Sequence, residues 1–189
     1  LEGIWCDCLA FDPSGQYLAL GQNKDDTGFS VWIYRTNNWD AEPHRIWIDC
    51  AAETALRMSQ NHAKPEDGAR AIAFSPDGRQ LAVGTRHGRF HVFSWVNGAS
   101  SHLYTLDPHP GVEVERIEYA RDGKTIFVQS MGHQLRVIRE GKLDMPGSLA
   151  ELKIEDVAVS PTEDAIFVIN SQPPRSDRQV QRYEISDLD

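Results

Sequence analysis

Four times along this chain a short apolar strand, a tight polar turn and a second apolar strand recur in the same order. They read CLAFDPSGQYLALG from Cys8, AIAFSPDGRQLAVG from Ala71, RIEYARDGKTIFVQ from Arg116 and DVAVSPTEDAIFVI from Asp156. A repeat of this size cannot bury its own apolar face, so stacked copies must supply each other's core. Arrays of this kind present loops to partners, which moves the expectation from catalysis towards binding. Aligned on Phe11, Phe74, Tyr119 and Val159, the units are spaced by 63, 45 and 40 residues. Two of these intervals match the roughly 40–45 residues of a four-stranded propeller blade, and the first carries about twenty extra residues.

Within each unit the elements are strands. In the second, Arg70–Phe74 runs into the SPDGR turn, whose Asp-Gly pair suits a tight reversal. Gln80–Val83 follows, and His87–Trp95 alternates Phe90 and Val92 against His91 and Phe93. The short, alternating segments rich in Val, Ile and aromatics exclude a solenoid of helices. Only the stretch Asp49–Gly68 breaks the pattern. There Asp49 is placed to cap a short helix over Ala51–Gln60.

The third strands share a register too: DTGFSVW from Asp26, HGRFHVF from His87, GHQLRVI from Gly132 and DRQVQRY from Asp177. In this the chain resembles the WD-repeat family, whose third strand follows an Asp-Gly turn and closes on Trp-Asp. Asp26 and Asp177 match the turn Asp, while His87 and Gly132 replace it. Trp32 keeps the Trp, and Phe93, Ile138 and Tyr183 stand in for it. The Trp-Asp ending is absent, so the resemblance is to a divergent member.

The resemblance implies an all-β fold, a β-propeller portion of four blades, each a three- to four-stranded antiparallel sheet, with one short helical insertion. The blades are expected at about 1–50, 69–107, 108–150 and 151–189, the last incomplete, with the insertion at about 49–68. Propellers run from four to eight blades. The chain therefore reads as part of a larger ring, completed by further sequence of the same polypeptide or by a second chain. The family also implies a structural role for His109, which would hydrogen-bond towards a turn Asp and an inner-strand hydroxyl.

The composition narrows the function. Nineteen basic against 28 acidic residues leave a net charge of −9, which disfavours a nucleic-acid partner. No apolar run reaches the roughly 20 residues of a membrane span. Three cysteines, Cys6, Cys8 and Cys50, form no disulfide framework and suit a reducing, cytoplasmic setting. Cys6 and Cys8, two apart on a strand, are expected on one side as buried free thiols, not as metal ligands.

No nucleophile elbow, metalloprotease helix or phosphate loop is present, and Gly15, Gly78 and Gly123 are explained by strand turns. The expectation is a non-enzymatic scaffold, without cofactor or metal, that docks a protein or peptide on the loops of one rim. Two alternatives place the catalytic parts outside this chain: the sensor propeller of a signalling or defence NTPase, or the propeller cap of a prolyl-oligopeptidase-like hydrolase.

Connections from strand two to three and from blade to blade emerge on the same side in this family. They carry the candidate partner-binding residues: Arg57, Met58 and His62 in the insertion, Arg86 and His87, His133, and Arg175 and Arg178 in the Ser171–Gln179 loop. Trp39, in a polar loop, is a further candidate anchor, because interface hot spots favour Trp. Trp47 is expected to be packed.

Overall fold

The computed structural model describes residues 5–22, 28–50, 67–144, 146, 149, 152–172 and 177–188. Among the described residues fifteen strands form four antiparallel sheets, each hydrogen-bonded in chain order. The first holds β1 (Cys6–Phe11), β2 (Tyr17–Gln22), β3 (Gly28–Arg35) and β4 (His44–Asp49). The second holds β5 (Ala69–Phe74), β6 (Gln80–Thr85), β7 (Phe90–Val96) and β8 (Ala99–Leu106). The third holds β9 (Val114–Tyr119), β10 (Thr125–Ser130), β11 (Leu135–Arg139) and β12 (Lys142–Asp144). The fourth holds β13 (Ile154–Val159), β14 (Ala165–Gln172) and β15 (Asp177–Glu184), followed by one 3₁₀ turn at Ile185–Asp187. The expected four-bladed propeller portion is therefore the observed architecture. The helix expected over Ala51–Gln60 lies outside the described residues.

The repeat predicts one shared core; the described residues form three, each between neighbouring sheets. Ile72, Phe74, Leu81, Phe93 and Trp95 meet Val31, Ile33 and Ile46 of the first sheet. From the other face of the second sheet, Phe90 and Val92 meet Ile117, Tyr119 and Val128. Phe127 and Val137 then meet Ile154, Val157 and Val168. Alternation along a strand sends successive side chains to opposite faces. With a sheet on both sides, both sets are apolar, which is why β7 reads as a nearly continuous hydrophobic run.

The hairpin turns obey their residues. Gly15, Gly78 and Gly123 have φ of 70°, 69° and 67°, the left-handed region that glycine enters without a Cβ clash. Their amides donate to the carbonyls of Asp12, Ser75 and Ala120 at 2.8–2.9 Å. Side chains finish each turn: Asp12 Oδ1 accepts from the Tyr17 amide at 2.7 Å, and Ser75 Oγ from the Gln80 amide at 2.9 Å.

All four inner strands are interrupted at one place. The ladder shifts between Cys6 and Cys8, between Ala69 and Ala71, opposite Gln129/Ser130, and between Ile154 and Asp156. The extra residues are Asp7, Arg70, Glu115 and Glu155. A bulge of this kind re-aims its residue and twists the strand. It also corrects the expectation for the cysteines, because the bulge at Asp7 breaks the alternation. Cys6 is exposed and Cys8 half-buried, with only Cys50 fully buried, and all three are free thiols. Burial pushes the Cys8 thiol up to about 12, with Asp7 adding to the effect, so it is a poor nucleophile.

Candidate interaction surface

The four sheets have two ends. One carries the hairpin turns between first and second strands. The other carries the connections between sheets and between second and third strands, among the described residues the segments 67–68, 86–89, 107–113 and 131–134. Backbone hydrogen bonds tie these connections, two extending the ladders of the second and third sheets and two linking one connection to the next. The Arg86 amide donates to Gly68 O at 3.0 Å, and the Gly111 amide to His87 O at 2.8 Å. The Met131 amide donates to Glu113 O at 2.9 Å, and the Ile154 amide to His133 O at 3.0 Å. Loops stitched in this way need little ordering when a partner arrives, which lowers the entropic cost of binding.

Side chains lock the same rim from below. Asp67 is fully buried; its Oδ1 accepts from the Gly68 amide at 2.9 Å and the His87 amide at 3.2 Å. His87 Nδ1 lies 3.8 Å from the same oxygen. His87 is only 4% exposed, so it holds its turn and does not itself present a surface. Gly88, at φ 87°, follows, and a Cβ there would overlap the His109 carbonyl. His109 is 2% exposed and donates from Nε2 to Val128 O at 3.1 Å. Its partner is therefore a carbonyl within β10 and not a turn carboxylate, because Gly132-His133 occupies the position of the turn Asp. Burial lowers its pKa, with the Val128 hydrogen bond opposing, so the ring favours the neutral form.

Charged side chains on the bulged inner strands bridge the sheets. Arg70 pairs with Asp7 of the first sheet and, from Nε at 2.6 Å, with Glu113 leading into the third. Arg116 lies 3.2 Å from Asp156 and donates to Val157 O at 3.3 Å. Partly exposed pairs contribute up to about 1 kcal/mol each, so they set inter-sheet register more than stability.

The predicted site residues divide accordingly. His133, at φ 61°, is exposed on the rim; Arg86 is half-buried there and has an interaction partner. Arg57, Met58, His62 and Arg175 lie outside the described residues. Arg178 falls in β15, opposite Ser171. Two rim residues escaped the sequence reading: Met131, 61% exposed, and the exposed Val112, which flank the Met131–Glu113 backbone contact. Their signal was faint, an apolar residue in each of the polar stretches SMGHQ and HPGVE.

At the outer edge of the same end the first two sheets enclose a cavity of about 540 Å³ lined by Trp47, His91, Phe93, His102 and Thr105. One hydroxyl, Thr105 Oγ1, lies 2.9 Å from both His91 Nδ1 and His102 Nε2. Trp39 and Trp47 are both exposed, the former stacked on Tyr34 at 5.7 Å. The packing expected for Trp47 is replaced by a cation–π stack, in which Arg45 lies 4.8 Å from its ring and 5.1 Å from that of Trp32. Among the described residues no cluster of three or more His, Cys, Asp or Glu side chains is arranged to hold a metal ion.

A sequence model of the family described as the anaphase-promoting complex subunit 4 WD40 domain matches residues 9–109, more than half of the chain. Among solved structures, the chain is similar to the beta-propeller domain of Myceliophteria thermophila Cps50 (Swd1). That likeness has 12% identity and a TM-score of 0.58, over 93% of this chain and 55% of that one. It is also similar to U3-55K, at 15% identity and a TM-score of 0.64, over 100% of this chain and 51% of that one. The chain spans about half the length of these propellers.

Proposed function

Since the chain belongs to the WD40-domain family described for anaphase-promoting complex subunit 4, we propose that it is a non-catalytic scaffold that docks a protein or peptide on the stitched rim. The observation that carries this reading is the row of backbone bonds along this end, in which ladder extensions at 68–86 and 113–131 alternate with links from one connection to the next at 87–111 and 133–154. Binding surfaces are commonly built from loops held on a rigid sheet scaffold. On this rim Met131 and Val112 supply exposed apolar contact and His133 a polar one, with Arg86 beside them. From the sequence, Arg57, Met58 and His62 of the insertion, with Arg175 and Arg178, are further candidate contacts. Arginine is enriched at interfaces. The buried His87 contributes by fixing the loop that carries Arg86. Free cysteines fit a reducing, cytoplasmic setting for this role.

Alanine at Arg86, Arg175 and Arg178 together tests the reading. Capture of the natural partner should weaken while thermal stability falls by no more than about 1 kcal/mol. Capture that survives this change but is lost on altering 12–16 or 76–79, at the other end of the sheets, contradicts it.

A further inference from the structure

At the end opposite the rim the first two sheets part to leave a groove of about 410 Å³. Trp95 forms its floor, with the Tyr17 ring edge-on at 5.2 Å and the His44 ring at 5.3 Å. His44 is already engaged, its Nε2 lying 2.8 Å from Ser100 Oγ. Two other groups are not. Among the described residues the Arg35 guanidinium has no hydrogen bond, ion pair or ring contact, and the Tyr17 hydroxyl has no hydrogen bond. Arg45, Arg70, Arg116, Arg139 and Arg182 are all paired or stacked.

Both unengaged groups converge on Gly98. A Cβ built there would stand 3.6 Å from Arg35 Nη2 and 3.8 Å from Tyr17 Oη. Asn97 and Gly98 have φ of 55° and 80°, the two-residue reversal that joins β7 to β8 and favours glycine second. The missing side chain leaves the space between the two donors open. A guanidinium presents parallel N–H groups, and a phenol adds a third donor. The complementary group has two acceptor oxygens in one plane, which is a carboxylate. A dianionic phosphate fits less well, because one cation faces it and Glu42 lines the same groove.

We propose that this groove binds a peptide carboxylate, forked by Arg35 and bonded by the Tyr17 hydroxyl, with adjoining apolar atoms lying on Trp95. The site is independent of the rim and lies at the other end of the sheets, so either can fail without the other.

The test follows the Arg35 Nε–H and Trp95 indole N–H resonances of the ¹⁵N-labelled protein during titration with three peptides. Acetyl-Leu-Glu-Leu-amide offers a side-chain carboxylate, acetyl-Leu-Leu with a free C-terminus offers a terminal one, and acetyl-Leu-Gln-Leu-amide offers neither. Saturable shifts of both resonances with at least one carboxylate peptide, and none with the Gln peptide, are expected. The stronger of the two carboxylates identifies the source. Arg35→Gln should weaken binding by about tenfold or more, as for loss of a charge-assisted bond. Tyr17→Phe, which keeps the ring on Trp95, should weaken it severalfold, whereas Glu42→Gln should tighten it. Binding should also fall as salt rises from roughly 50 to 500 mM. No saturation with either carboxylate, equal binding of the Gln peptide, or unchanged affinity in a folded Arg35→Gln protein overturns the proposal.

Discussion

Acid should weaken this fold through His91. The ring lies between the first two sheets and is 6% exposed, with Nδ1 bonded to Thr105 and Nε2 without a partner. Burial, reinforced by His102 and Arg89, pushes its pKa down from 6.5 to about 4. The folded protein therefore holds His91 neutral in a range where the unfolded chain protonates it. Between these two values the unfolded state binds more protons, so stability rises with pH. The contribution is fully present above about 6.5, is lost as pH falls towards 4, and is flat below. The difference of about 2.5 pKa units is about 3 kcal/mol, with a steepest slope near 1.4 kcal/mol per pH unit. Urea unfolding of the wild type and His91→Phe at half-unit pH steps isolates this effect. Phe keeps a ring beside Phe93, and loss of the Thr105 bond adds a pH-independent offset of about 1 kcal/mol. His109, also shifted down by burial, is common to both proteins and cancels. The wild type should lose about 3 kcal/mol relative to the variant between pH 7 and 4. Parallel stability curves, or a wild type that gains on acidification, would refute the reasoning.

Phe74 is 8% exposed in the core between the first two sheets, and Phe74→Ala should cost about 3–5 kcal/mol in thermal denaturation. His109→Ala, which strands the buried Val128 carbonyl, should cost less, about 1–3 kcal/mol, and a larger loss than for Phe74 would invert the ranking of packing over polar satisfaction. The outer face of the first sheet exposes Leu9, Phe11, Trp39 and Trp47, and the fourth exposes Phe167 and Val180. Contiguous apolar faces of this kind associate. Sedimentation of the 189-residue chain at micromolar concentration should show oligomers, and a well-behaved monomer would contradict this.

The strands were legible because four copies of one pattern reinforce each other: the expected first strands begin within two residues of β1, β5, β9 and β13. Features that depend on a neighbouring sheet were not. The inner-strand bulges leave no mark in a two-residue alternation, so Cys6 and Cys8 read as one face when Asp7 separates them. Trp47 read as packed, but it shares a face with Trp32 that no described sheet covers. His87, which stands where the family's turn Asp belongs, read as a surface residue because its connection between second and third strands lies on the rim. In this chain the carboxylate comes instead from Asp67 in the preceding connection, and the reversed pair draws the histidine inward. The groove at Gly98 was hidden because Tyr17 and Arg35, paired across β2 and β3, meet Gly98 only when the first and second sheets pack.

Hydroxyl-radical footprinting of the protein alone and bound to its natural partner tests the scaffold reading most directly. Protection should concentrate on 86–89, 107–113 and 131–134, strongest at Met131, with 12–16, 75–79, 121–124 and 160–164 unchanged. Protection of those four turns, with Met131 as reactive in the complex as in the free protein, would contradict the account.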